Sequence, residues 1–184
     1  WTLANGASEV VGLGAVGDGV AIRAGLGGGV PSGAWLAGLF VGLGAIGSAI
    51  IRRLEGFGVD TVGVRYTSEN GGPADQVVGF DADAIHTGLA ETDYLVIASP
   101  LSETTRGLIG PDEFATMPPT AVLINVARGP IVDTDALLEA LKTEQIRGAA
   151  LDVTDPEPLA VNHPLWGFNN VLITPHTGGY TPKH

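Results

Sequence analysis

The stretch from Leu39 to Arg65 constrains this chain more than any other. It opens with the apolar run LFVG (39–42), passes through the glycine turn VGLGAIG (41–47), continues as SAIIRRLEGFG (48–58) and closes with VDTVGVR (59–65). In the third piece Ile50, Ile51 and Leu54 fall on one side and Arg52, Arg53 and Glu55 on the other, which is the spacing of an amphipathic helix ended by glycine. Strand, glycine turn, helix and strand make a βαβ unit, and two strands joined by such a crossover lie parallel.

The same turn appears earlier as VGLGAVG (11–17), followed by GVAIRAGLGGGVPSG with four glycines between Gly25 and Gly29. No β-branched run and no charged residue stands where a second strand would end. A glycine pattern without that context is a weak signal, so a loop rather than a second nucleotide site is expected there.

The βαβ rhythm continues downstream. DADAIHTGLAET (81–92) reads as a helix, DYLVIASP (93–100) and AVLINVA (121–127) as strands, TDALLEALKTEQI (134–146) as a helix, and GAALDV (148–153) and NVLITPH (170–176) as the last strands. Apolar strands alternating with helices imply the α/β class, a Rossmann-type doubly wound parallel sheet with helices on both faces. A length of 184 residues allows one domain with a sizeable core. With no cysteine, disulfides, thiolate zinc sites and cysteine nucleophiles are excluded.

The net charge of −11 comes from 20 acidic and 9 basic residues, with Lys142 and Lys183 the only lysines. Nucleic acids and anionic membranes need basic patches, so neither is an expected partner. An acidic, lysine-poor surface suits concentrated salt, where charge repulsion is screened, and a halophilic origin is expected. Residues 34–51 carry no charge and are about long enough to span a bilayer, but a buried strand feeding a phosphate-binding turn gives the same run. The residues from Trp1 onward show no basic n-region, so no secretion signal is visible, and a cytoplasmic location is expected.

Within the turn, Gly42 permits a tight bend, Gly44 lets backbone approach a diphosphate, and Gly47 lets helix and strand pack closely. The N–H groups of Ala45 and Ile46 then point at the anion from the helix start. An NAD site wants an acid at the end of the second strand, to hold the ribose 2′-hydroxyl. Here that strand ends in Arg65, followed by Tyr66, Thr67 and Ser68. Arg65 can pair with a 2′-phosphate and the hydroxyls can donate to it, which favours NADP(H) with NAD(H) possible. The other reading makes Arg65 a solvated arginine, with Asp60 or Glu69 serving the ribose.

Three polar motifs fall at the carboxyl ends of the later strands, where open α/β sheets bind ligands: NVARGPIVD (125–133), LDVTDPEPL (151–159) and ITPHTGG (173–179). Taken singly, Arg128 reads as a turn arginine, Glu157 as a surface acid and His176 as a loop histidine. Together they supply a guanidinium, a carboxylate and an imidazole on neighbouring strand ends.

With VGLGAIG and PLSETTRGLI (100–109), these motifs closely resemble the cofactor domain of the D-isomer-specific 2-hydroxyacid dehydrogenases over about residues 35–184. TLANGASEVV also resembles the family's lead into that domain, whereas residues 12–33 depart from the family's long apolar helix. The resemblance implies NAD(P)H-dependent reduction of a 2-oxo acid to a D-2-hydroxy acid. Arg128 matches the substrate-binding arginine, His176 the general acid that protonates the new hydroxyl, and Glu157 the acid whose charge favours the imidazolium. Asp152 matches the residue that holds the nicotinamide carboxamide. Pro100, Thr105, the backbone at Val126, and Gly178 match further cofactor contacts, and a homodimer is implied.

Rival classes fit less well. A zinc alcohol dehydrogenase wants cysteine ligands, and a short-chain dehydrogenase wants a tyrosine and lysine one helical turn apart, whereas Tyr180 and Lys183 sit in a proline-containing tail. The alternative from another class is a non-catalytic NAD(H)-sensing module of the same fold, for which a proton donor has no use. The resemblance further implies that residues 1–184 are the cofactor domain alone, with residues 1–33 as lead-in and the substrate domain outside this sequence. Such a piece is expected to bind cofactor without reducing a 2-oxo acid at a useful rate.

Overall fold

The computed structural model describes residues 36–66 and 71–179, together with the backbone of residues 9–15 and 20–26. Strands β1 (Glu9–Ala15) and β2 (Val20–Leu26) pair antiparallel as a separate two-stranded ribbon. This corrects the loop expected at 11–17, whose last two residues lie outside the described ones. Backbone pairing needs no side chain, so Gly12 and Gly14 hold register opposite Arg23 and Ala21. The described part of the earlier glycine copy, residues 11–15, therefore sits in a strand of an antiparallel ribbon and not between a parallel strand and a helix.

The main sheet has seven parallel strands in the order β5-β4-β3-β6-β7-β8-β9. Its members are β3 (Leu36–Val41), β4 (Val59–Arg65), β5 (Gln76–Gly79), β6 (Tyr94–Ile97), β7 (Val122–Asn125), β8 (Gly148–Leu151) and β9 (Val171–Ile173). Every residue of β6, β7 and β8 is buried, as expected when helices cover both faces. Alternate residues feed two cores. Leu39, Val41, Leu95, Ile97 and Leu123 pack on one face with Leu89, Phe114 and Leu137, whereas Phe40, Val96, Val122 and Ile124 pack on the other with Ile50 and Ile51. Helix α1 (Ala45–Leu54) thus covers one face, and α2 (Ala82–Ala90), α3 (Pro111–Thr116) and α4 (Thr134–Lys142) cover the other.

The second strand of the βαβ unit has the bounds read from the sequence, while several other elements are shorter. Asp81 caps α2 by accepting from the Ala84 N–H, and Asp133 caps α4 by accepting from Asp135 and Ala136. Helix α4 stops at Lys142 because Glu144 turns left-handed at φ 56°. Strand β5 and helix α3 carried no sequence expectation. From Leu36 onward the uncharged run at 34–51 resolves into β3, the glycine turn and the start of α1, and among the described residues no helix is long and apolar enough to cross a membrane.

Candidate active site

The strand order reverses between β3 and β6, and the chain leaving each strand lines the crevice that opens there. Gly42 follows β3 at φ 107°, and a Cβ on it would stand 2.7 Å from the Ser99 nitrogen beyond β6. A Cβ on Gly47 would strike the Gly42 carbonyl, so this helix turn can lie on the strand end only as glycine. Gly44 differs from both: its φ is −74° and a Cβ there would meet nothing within 4 Å. Its freedom from contact faces open space rather than protein, which fits a backbone surface shaped for a ligand.

Helix α1 starts with no side-chain cap on Gly44 and no acid in its first turn, and Ala45 and Ile46 are exposed. Its first N–H groups lack intrahelical partners, so the turn presents uncompensated donors and the positive end of the helix dipole to an anion. The adjoining cavity of about 700 Å³ is lined by Gly42, Gly44, Arg65, Tyr66, Pro100 and Thr105 among others. The residues present therefore fit a dinucleotide.

Arg65 ends β4 at this cavity, and its Nη1 donates to the Gly71 carbonyl at 2.7 Å. Tyr66 packs on Phe80 with ring centroids 5.6 Å apart, giving the cavity an aromatic wall. Thr67, Ser68 and Glu69 lie outside the described residues. Asp60 does not reach the site, which removes it as the ribose acid: it is the second residue of β4, opposite Ala37, five residues or roughly 16 Å of strand from Arg65. The Thr105 hydroxyl donates to the Pro100 carbonyl at 2.8 Å and accepts from the Ser102 N–H at 2.8 Å, so it first shapes the loop that borders the cavity. Val126, buried, donates its N–H to the Ile97 carbonyl and locks the exit of β7 beside that of β6.

The second half of the site stands at the ends of β7, β8 and β9. Asn125, 1% exposed, accepts from the Ala127 N–H and donates to the Arg128 carbonyl, both at 3.0 Å. Arg128 is exposed, and its Nη1 donates to the Ala127 carbonyl at 2.6 Å. A Cβ on Gly129 would strike the Thr154 carbonyl, so the arginine loop is pressed against the chain leaving β8. Thr134 ties α4 to that same chain by donating to the Asp155 carbonyl.

Glu157 Oε1 and His176 Nδ1 meet at 2.6 Å, with each side chain a little over 40% exposed. The carboxylate fixes the tautomer: Nδ1–H donates to Glu157, leaving Nε2 for a ligand. His176 has φ 54°, a left-handed conformation that costs a non-glycine residue about 1–2 kcal/mol. Asp152, 6% exposed, holds it there. Its carboxylate accepts from the Thr174 hydroxyl, from the Thr177 N–H at 3.1 Å and from the Gly178 N–H at 2.9 Å, bracketing His176 on both sides. A cavity of about 460 Å³ adjoins Asp152, Glu157 and His176.

Asp152, Glu157 and His176 thus line one cavity, whereas the Arg128 guanidinium turns back on the Ala127 carbonyl and only the backbone of the following Gly129 meets that region, at the Thr154 carbonyl. Sequence reasoning missed Asn125, which orders the arginine loop, and Ser99, which backs the glycine turn. A lone asparagine in the aliphatic run AVLINVA was the available signal for the first.

Residues 37–178 match the model of the D-isomer specific 2-hydroxyacid dehydrogenase, NAD binding domain, family. A relative from Homo sapiens, glyoxylate reductase/hydroxypyruvate reductase, is 43% identical over 145 residues, which are 78% of this chain and 43% of that protein. Phosphoglycerate dehydrogenase from Lactobacillus plantarum superposes with a TM-score of 0.75 at 39% identity, covering 79% of this chain and 46% of the other. A D-isomer specific 2-hydroxyacid dehydrogenase from Xanthobacter autotrophicus Py2, solved with NADPH and MES, gives a TM-score of 0.72 at 38% identity, covering 79% and 60%. The chain spans less than half the length of the curated relatives it matches. With its parallel sheet, glycine turn and strand-end motifs all in place, the chain belongs to the D-isomer specific 2-hydroxyacid dehydrogenase family, as an NAD binding domain.

Proposed function

We propose that the protein reduces a small 2-oxo acid to a D-2-hydroxy acid. The observation that carries this is the Glu157–His176 couple at 2.6 Å, standing beside the Arg128 loop at the carboxyl edge of the sheet whose glycine turn fits a dinucleotide. A nicotinamide dinucleotide held there supplies the hydride. Arg128 pairs its planar fork with the substrate carboxylate and fixes the orientation of the carbonyl. His176 Nε2 donates the proton to the carbonyl oxygen as negative charge grows on it, and Glu157 stabilises the imidazolium that gives up that proton. Asp152 keeps the imidazole aimed by holding both flanks of its loop, and it also borders the cavity as the candidate partner of the carboxamide. Val126, Thr105, Pro100 and Gly178 belong to the cofactor's surroundings in this reading.

NADP(H) is the proposed preference, because Arg65 offers a cation and no acid of β4 reaches its position. Glyoxylate and hydroxypyruvate, named in the human relative, are the proposed substrates. A cytoplasmic homodimer belongs to the same proposal, and the acidic, lysine-poor composition supports work in concentrated salt. A dinucleotide-sensing role has no need of a proton donor, and the preformed Glu157–His176 couple weighs against it. The experiment is a turnover screen of the complete gene product in concentrated KCl, with glyoxylate, pyruvate and hydroxypyruvate and either reduced cofactor. NADPH-dependent turnover of at least one supports the reading, whereas tight cofactor binding with no turnover of any would favour the sensor.

A further inference from the structure

His176 stands on a turn that is anchored on both sides. Thr174 leaves β9 with its N–H on the Leu151 carbonyl at 2.9 Å, so its backbone continues the pairing of β9 with β8. Pro175 brings no N–H, and the His176 N–H turns back to the Thr174 carbonyl at 3.0 Å, closing a three-residue γ-turn. Beyond the histidine, the Thr177 and Gly178 N–H groups both go to Asp152. Before it, Thr174 makes two links of its own: its carbonyl takes the His176 N–H, and its hydroxyl donates to Asp152 Oδ1. The side chain is half-buried and β-branched, which stiffens χ1 and keeps the hydroxyl on the carboxylate.

We infer that Thr174 is a positioning residue for the reduction: its hydroxyl, by holding Asp152, fixes the turn that aims His176 Nε2. A non-glycine residue keeps a left-handed backbone such as the φ of 54° at His176 only where its surroundings dictate it. With the hydroxyl gone, Asp152 still grips the chain after His176, but the link from Thr174 to the carboxylate is lost. The turn then relaxes toward a commoner backbone conformation and swings the ring away from Glu157, which meets it through the one contact at Nδ1. The inference rests on the proton-donor reading of His176. It adds a residue that acts on the reaction through another.

The test uses the complete gene product with Thr174→Val, which keeps the shape and deletes the hydroxyl, and Thr174→Ser, which keeps the hydroxyl. Thr174→Val is expected to lower kcat for hydroxypyruvate about tenfold or more, since a hydrogen bond to a charged group is worth at least that factor, with NADPH affinity nearly unchanged. Thr174→Ser should recover most of that kcat. Nitrogen NMR of the cofactor-free protein reads the same geometry without turnover, with the ring signals of His176 assigned by their loss in His176→Ala. At alkaline pH these signals should place the proton on Nδ1 in wild type and in Thr174→Ser, and share it between Nδ1 and Nε2 in Thr174→Val. Wild-type kcat in Thr174→Val overturns the inference. So does a Thr174→Ser enzyme as impaired as Thr174→Val, or a fall in NADPH affinity as large as the fall in kcat, the mark of a general loss of structure. If wild type turns over no 2-oxo acid, the reduction reading fails by itself, and the ring signals still decide the role of Thr174: an unchanged tautomer in Thr174→Val overturns it, and a shared proton upholds it.

Discussion

Replacing Gly44 by valine separates a ligand-shaped glycine from a merely structural one. At this position φ is −74° and a Cβ meets nothing within 4 Å, so the cofactor-free protein should tolerate the side chain. Gly44 is the N-cap of α1, and exchanging a glycine cap for an aliphatic residue costs about 1 kcal/mol at most. With cofactor the outcome reverses, because an isopropyl group fills the space in which backbone N–H groups meet the diphosphate. Losing two charge-assisted bonds at about 1.5–3 kcal/mol each predicts a loss in affinity of about 10²- to 10⁴-fold. Gly47→Ala is the contrast: its Cβ strikes the Gly42 carbonyl, so strand end and helix must separate and the cofactor-free protein should melt well below wild type. Thermal melting and NADPH titration of the two variants decide the matter. Wild-type affinity in Gly44→Val, or destabilisation as severe as that of Gly47→Ala, would refute the reasoning.

Two further perturbations test other parts of the account. Arg65→Asp should weaken NADPH by roughly tenfold or more while sparing NADH, because a charge-assisted pair is lost and a carboxylate then faces phosphate; an unchanged ratio of the two affinities contradicts the assignment. Asp75 is held below the usual carboxylate range by the Thr61 hydroxyl at 2.7 Å and the Thr61 N–H at 2.9 Å, a link that joins β4 to the entry of β5. Because the folded-state value is depressed, this stabilisation is present above the unfolded value near 3.8 and is lost as pH falls through the folded value. Asp75→Asn should therefore destabilise by about 0.5–1 kcal/mol at neutral pH, discounted for exposure, and the gap to wild type should close below about pH 4 in urea unfolding. A gap that is constant with pH would assign the effect to something other than the charge.

Much of this arrangement was legible because its signals are local. Val59–Arg65 alternates with its helix in a pattern that needs no tertiary information, and the three strand-end motifs sit where a parallel sheet must present them. Strand β5 escaped because four residues at the sheet edge, entered from GGPADQ, show no period, and α3 because six residues make less than two turns. Its start was nonetheless marked by Pro111, with Glu113 accepting from the Gly110 N–H. The wiring of the site was not legible at all: Asp152 reaches Gly178 across 26 residues, and Glu157 reaches His176 across 19. Strand polarity, invisible in composition, separated Arg65 from Asp60.

The central claim is that one imidazole, aimed by Asp152 and backed by Glu157, delivers the proton of a 2-oxo acid reduction. Steady-state reduction of hydroxypyruvate by the complete gene product, compared between wild type and His176→Ala with cofactor affinity measured alongside, tests it most directly. The account predicts a fall in kcat of about 10²- to 10⁴-fold with cofactor affinity nearly unchanged. Turnover by His176→Ala equal to that of wild type would contradict it.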